Sequence, residues 1–176
     1  AQEYGQQELY QSLQAFNTLL RASISGSREM IPLREELALV ESFENIQRLR
    51  YGESFIVSGS IEESYMNIAV PKLILQPVVE NAIFYGEETD GVTRISITVA
   101  VVHGEFIIKV TDNGPGMDIK LIEDVQKDNR RKFNRIGLKN VDERVKILFG
   151  DEYGLSIESA PGKGTTVTIS MPGALC

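Results

Sequence analysis

Two β-rich runs, residues 95–101 and 105–110, lie on either side of His103-Gly104, which leaves room for little more than a tight turn. Strands joined this way are antiparallel neighbours, because a parallel pair needs a crossover of about a dozen residues or more. The hairpin therefore excludes an all-parallel, doubly wound sheet. Whatever surrounds it must pack against a sheet that is at least partly antiparallel.

Helical and extended patterns are interspersed around that hairpin. Leu9, Leu13, Phe16 and Leu20 recur at helical spacing over residues 6–21, and Gly26 among three serines breaks the pattern over residues 23–28. A second helix is predicted from Pro32, with Leu33, Leu37, Val40, Phe43, Ile46 and Leu49 leading to a C-cap at Gly52. Residues 55–60 read as a strand. Pro71 then opens a third helical pattern, carrying Leu73, Ile74, Val78, Ala82 and Ile83 to Gly86, with Glu80 and Asn81 on it.

After the hairpin comes a loop, Asp112-Asn113-Gly114-Pro115-Gly116, too rich in Gly and Pro for a regular element. Residues 117–125 read as a short helix, 126–135 as a polar, basic, mobile stretch, and 137–149 as a helix with Leu138, Val141, Val145 and Leu148 on one side. Strands at residues 155–157 and 165–171 follow. The expected class is α/β (α+β): a two-layer sandwich with a mixed, largely antiparallel sheet, preceded by a helical arm. The division expected is residues 1–52 for the arm and 53–176 for the domain.

Charge narrows the partners. Eighteen Lys and Arg against 25 Asp and Glu leave a net charge of −7, which argues against a surface built to hold nucleic acid. A lone cysteine, Cys176, can form neither an internal disulfide nor a cysteine metal cluster, and agrees with a reducing compartment. The longest apolar stretch, residues 68–79, is interrupted by Lys72, Gln76 and two prolines and falls short of the roughly 20 residues of a membrane helix. The sequence starts at Ala1 without an initiator Met, so a fragment or processed product is expected, with any membrane span upstream.

Three segments carry candidate chemistry: Glu80-Asn81-Ala82, residues 112–116, and Gly137-Leu138-Lys139-Asn140. Singly, each has an ordinary reading as a solvent-facing helix residue, a turn and a helix start. Together they suit a nucleotide. Glycine lets backbone approach a ligand, and the free N–H groups of a helix start at Gly137 and Leu138 would favour a phosphate. A carboxylate after a buried strand, Asp112, can accept from an exocyclic amine. The amide oxygen of Asn81 is a hard ligand suited to Mg2+ alongside waters and phosphate oxygens.

The ordered set Asn81, residues 112–116, Gly137-Leu138 and Gly162-Lys163-Gly164-Thr165 resembles the N, G1 and G2 boxes and final Gly-x-Gly-Thr of the gyrase, Hsp90, histidine kinase and MutL ATP-binding superfamily. Within it, residues 75–83 and 137–145 are similar to the LytS/YesM-type sensor histidine kinases, as are Pro32-Leu33-Arg34-Glu35-Glu36-Leu37 and Arg48-Leu49-Arg50-Tyr51-Gly52. The resemblance implies a Bergerat-type fold binding ATP and Mg2+. In it Asn81 holds the metal, Asp112 reads the adenine amine, Gly114 and Gly116 shape the base pocket, and Thr165 supports the adenine side. Tyr85, Arg135, Gly137 and Leu138 complete the implied nucleotide set, and Lys127, Arg130, Arg131, Lys132 and Arg135 fall in the lid.

The implied partners are a phosphoacceptor helix upstream in the same protein, a response regulator, and a second copy through the arm. The implied location is a cytoplasmic domain of a bacterial sensor anchored in the membrane by upstream segments. Two departures keep alternatives open. Phe84 and Tyr85 stand where such kinases often have Lys and His, and the sole histidine, His103, sits at the predicted hairpin tip rather than in an acceptor box. This chain alone is then expected to bind ATP without phosphorylating itself. A nucleotide-binding interaction module is the first alternative. A hydrolysing ATPase is the second, although Pro77 occupies the place of the glutamate that activates water in such enzymes.

Overall fold

The computed structural model describes residues 29–86, 91–116 and 129–173, with side chains in the last stretch from residue 137 onward. The predicted helices at residues 6–21 and 117–125 lie outside the described residues. In chain order the elements are β1 (Met30–Pro32), α1 (Leu33–Tyr51), β2 (Phe55–Gly59), β3 (Ala69–Pro71), α2 (Leu75–Tyr85), β4 (Thr93–Val102), β5 (Glu105–Asp112), α3 (Asn129–Phe149), β6 (Gly154–Ser159) and β7 (Thr165–Pro172), with a short 3-10 turn at Glu63–Tyr65.

The main sheet has five strands in the order β2-β4-β5-β7-β6. β2 runs parallel to β4 and every other neighbour is antiparallel. The expected hairpin is present: Val102 pairs with Glu105, and His103 and Gly104 both have positive φ, 52° and 85°. That is the signature of a type I′ turn, whose twist matches that of the strands it joins.

Alternation along the strands decides the layering. Ile95, Ile97, Phe106, Ile108, Val110, Val167, Ile169 and Met171 are buried, while Arg94, Thr98 and Lys109 between them are exposed. The buried face forms one hydrophobic core with Leu33, Val40 and Phe43 of α1, Val78, Val79 and Ala82 of α2, and Val141 and Val145 of α3. The architecture is therefore helices on one face of a mixed, largely antiparallel sheet, as expected. α1 ends where Gly52 takes φ 60° and its N–H donates to the Arg48 carbonyl at 2.8 Å.

Two helix starts differ from expectation. Pro71 does not open α2: it closes β3, which pairs antiparallel with β1, Met30 opposite Pro71. Leu73 then takes φ 60°, and the helix begins at Leu75. α3 begins at Asn129, not Gly137. Its first turns, Asn-Arg-Arg-Lys-Phe-Asn-Arg, contain neither Gly nor Pro and include good helix formers, so nothing in them stops the helix.

Candidate nucleotide-binding site

β5 carries Asp112 to the end of the sheet, in register with Thr165 of β7 and Ile95 of β4. Period-two alternation turns both Asp112 and Thr165 to the buried face, where each is 6% exposed. Asp112 Oδ1 accepts the N–H of Gly114 at 2.9 Å and that of Thr165 at 3.2 Å. Both bonds fall on Oδ1, so Oδ2 keeps its acceptor capacity. Burial pushes the carboxyl above its ordinary pKa, and the two backbone N–H groups oppose that shift.

Glycines close this end of the sheet. A Cβ at Gly164 would lie 2.0 Å from the Asp112 carbonyl oxygen, and one at Gly116 2.0 Å from that of Ala160. At Gly114 it would lie 2.6 Å from the Gly86 Cα and 3.0 Å from the Tyr85 carbonyl oxygen. The loop after β5 is thus pressed between the end of α2 and the β6–β7 turn, with the Gly162 N–H donating to the Pro115 carbonyl at 2.6 Å. The Thr165 and Ser159 hydroxyls lie 2.9 Å apart, and Ser159 Oγ donates to the Gly164 carbonyl at 3.0 Å.

On α2, Pro77, Asn81 and Tyr85 recur every four residues and so share one stripe. Asn81 is 7% exposed. The stripe meets both halves of the motif set: the Tyr85 carbonyl lies beside Gly114, and a Cβ at Gly137 would lie 3.4 Å from the Pro77 Cβ. Phe84 and Tyr85 stack edge to face, with ring centroids 4.8 Å apart. Glu80 is half-buried, and desolvation raises its pKa.

The structure thus brings Asp112, Gly114, Gly116 and Thr165 to one place, with Tyr85 beside it and Asn81 one turn back along α2. Gly137 and Leu138 lie in the interior of α3 rather than at a helix start, which corrects the expectation of free N–H groups there: in an α-helix such an interior N–H bonds the carbonyl four residues back. Leu138 is 7% exposed and belongs to the core. The backbone of residues 129–135, Arg135 included, is helical where no regular element was expected, and Lys127 lies outside the described residues. His103 is exposed at the hairpin tip, as expected.

Glu36 was not among the expected residues. It is fully buried, and its signal in the sequence was position: 36 falls on the same stripe as Leu33, Val40 and Phe43, where a charge is out of place.

Residues 67–175 match the family model described as histidine kinase-, DNA gyrase B- and HSP90-like ATPase, and residues 1–55 match the model described as histidine kinase. The chain belongs to the histidine kinase-, DNA gyrase B- and HSP90-like ATPase family. It is 35% identical over 170 residues to sensor histidine kinase YesM of Bacillus subtilis, covering 95% of this chain and 28% of that protein. With sensor histidine kinase YpdA of Escherichia coli it shares 37% identity over 145 residues, covering 82% of this chain and 25% of that one. The chain spans about a quarter of the length of these relatives. Among solved structures, the Acinetobacter baumannii histidine kinase AdeS superposes with a TM-score of 0.58 at 17% identity, covering 91% of this chain and 76% of that chain, which shows the shared fold. This chain therefore carries the ATP-binding catalytic domain of the histidine kinase type.

Proposed function

We propose that this chain holds Mg2+-ATP for phosphoryl transfer to a histidine upstream of residue 1, in a sensor histidine kinase. The observation that supports it most is the Asp112 carboxylate: buried at a strand end, fixed through Oδ1 and free to accept at Oδ2, among glycines that let the neighbouring backbone close in around it. Asp112 accepts the adenine amine, Gly114 and Gly116 let the base approach backbone, and Thr165 supports the same edge. Asn81 offers its amide oxygen to the metal, and Tyr85, Arg135 and Gly137 flank the nucleotide. Catalysis of this kind is mostly positioning and charge neutralisation.

Residues 1–52 serve as the arm toward the acceptor helix and residues 53–176 as the catalytic domain, on the cytoplasmic side of a bacterial sensor anchored through other segments. The arm pairs two copies, and a response regulator receives the phosphoryl group. Calorimetric titration with a nonhydrolysable ATP analogue, with and without Mg2+, tests the reading. Saturable binding lost in Asp112→Asn supports it, and no binding at millimolar analogue overturns it.

A second reading, a nucleotide-binding module without phosphotransfer, is favoured by one observation. α3 runs unbroken through Gly137, so no helix end presents N–H groups there. A longer chain with its upstream sequence restored separates the two, since a kinase then forms acid-labile phosphohistidine and a module does not.

A further inference from the structure

We propose that Glu36 is a positioning residue that ties the helical arm to the helix bearing Asn81. Its carboxylate, carried on α1, holds the first turn of α2 from outside that helix. Oε2 accepts the Leu73 N–H at 2.8 Å and Oε1 accepts the Leu75 N–H at 2.8 Å. A helix begins with N–H groups that have no partner within it, and one of its own side chains usually caps them. α2 has no such cap: Ile74 occupies the N-cap position and the first turn holds no acidic residue. Glu36 supplies the acceptors that this end of the helix lacks.

The clamp also holds an unfavourable backbone. Leu73 sits at φ 60°, where a side chain is disfavoured, and such a conformation persists only when its surroundings fix it. The neighbouring residue is fastened twice more. The Lys72 N–H donates to the Glu29 carbonyl at 3.0 Å, and the Arg144 guanidinium of α3 donates to the Lys72 carbonyl. The start of α2 is therefore set by β1, α1 and α3 together.

From Leu75 the helix runs without interruption to Tyr85. Asn81 lies six residues on, about 9 Å along the axis at the usual rise, so a tilt or slip of the first turn carries through to it. Asp112 and Thr165 stand on the sheet and are bonded to each other, and α2 meets that side only with its C-terminal end at Gly114, far from the first turn that Glu36 holds. α1 lies within the segment matching the histidine kinase model, so a movement of the arm reaches the metal side of the site through Glu36 before it reaches the adenine side.

This inference rests on the nucleotide reading above, and its test separates the two. Glu36→Gln keeps the shape but exchanges one acceptor for an NH2 group, leaving the N–H of Leu73 or Leu75 unpaired. Val40→Ala, on the same helix and buried, serves as the control for a general loss of stability. Each chain is titrated well below its melting temperature with Mg2+ and a nonhydrolysable ATP analogue, and with ADP in EDTA. Amide hydrogen exchange is followed along α2.

The expected result for Glu36→Gln is on the order of tenfold weaker binding of the magnesium complex, unchanged binding of ADP in EDTA, and faster exchange from Val78 to Tyr85. Val40→Ala should leave the ratio of the two affinities as in the parent. Equal loss for both ligands, a ratio change no larger than that of Val40→Ala, or unchanged exchange on α2 overturns the inference. If the parent binds neither ligand, the nucleotide reading fails first, and a response confined to exchange reduces Glu36 to a structural cap. Should Glu36→Gln not fold, Glu36→Asp keeps the carboxyl group with less reach, and the same ratio decides.

Discussion

Asp112 concentrates two opposed demands on one side chain. Its Oδ1 staples β5 to β7, and its raised pKa reflects a carboxylate taken out of water. In Asp112→Asn the amide oxygen can keep the backbone bonds, but the NH2 group then faces a base amine as donor against donor. Nucleotide affinity should fall by roughly 2–3 kcal/mol, measured by calorimetry, while Asn81→Asp should alter the magnesium dependence more than the binding of ADP in EDTA. The same pKa fixes a pH dependence. A raised native pKa means the folded state binds the proton more tightly, so this contribution to stability is full below the unfolded value and is lost as pH rises through the native one. Asp112→Asn should therefore flatten the decline seen in the parent across that window, read from urea midpoints at successive pH values. Gly164 and Gly162 separate space from dihedral: both have positive φ, but a Cβ meets backbone at 2.0 Å in the first and nothing within 4 Å in the second. Gly162→Ala should cost about 1 kcal/mol and Gly164→Ala roughly 2–4 kcal/mol in denaturant unfolding.

Among the elements, the strands were legible because their information is local. Residues 93–112 alternate with period two around a two-residue turn, and tertiary structure only lengthens those strands, whereas the three-residue β1 and β3 were not read at all because neither is long enough to show a period. The starts of α2 and α3 were not legible, for different reasons. Pro71 suits a first helical turn by itself, but β1, some forty residues earlier, captures it in a pairing that no local window displays. Residues 129–135 lack an apolar period and so read as loop, yet they contain no helix breaker and continue α3 backwards. This places Gly137 mid-helix with ordinary contact distance to Pro77, which yields a prediction of unusual sign. Gly137→Ala should stabilise the chain by about 0.5–1 kcal/mol in thermal or urea unfolding, whereas Val79→Ala, wholly buried, should destabilise it by roughly 1–3 kcal/mol.

At the scale of the molecule, the motif segments were readable because glycines and a strand-end aspartate mark where backbone must come close. Their meeting point was not readable, since it depends on β7 lying between β5 and β6. Glu36 shows the reverse case: visible as a misplaced charge, but without meaning until α2 is seen to start without a cap of its own. His103 at an exposed turn should contribute nothing to phosphorylation, so the chain incubated with labelled ATP should yield no phosphohistidine and His103→Asn should bind nucleotide as the parent does. The strand order also dictates a timetable. Val102 finds Glu105 three residues away, whereas Phe55 must wait for Thr93 and for all of α2 between them, and β6 has no neighbour until β7 exists. As the ribosome releases the chain, the hairpin can form early, yet Asp112 lacks the Thr165 that completes its staple until the last of these strands emerges. Until then the nascent sheet shows an open edge along β5, where chaperones or stray strands can attach, and nucleotide cannot yet stabilise the fold.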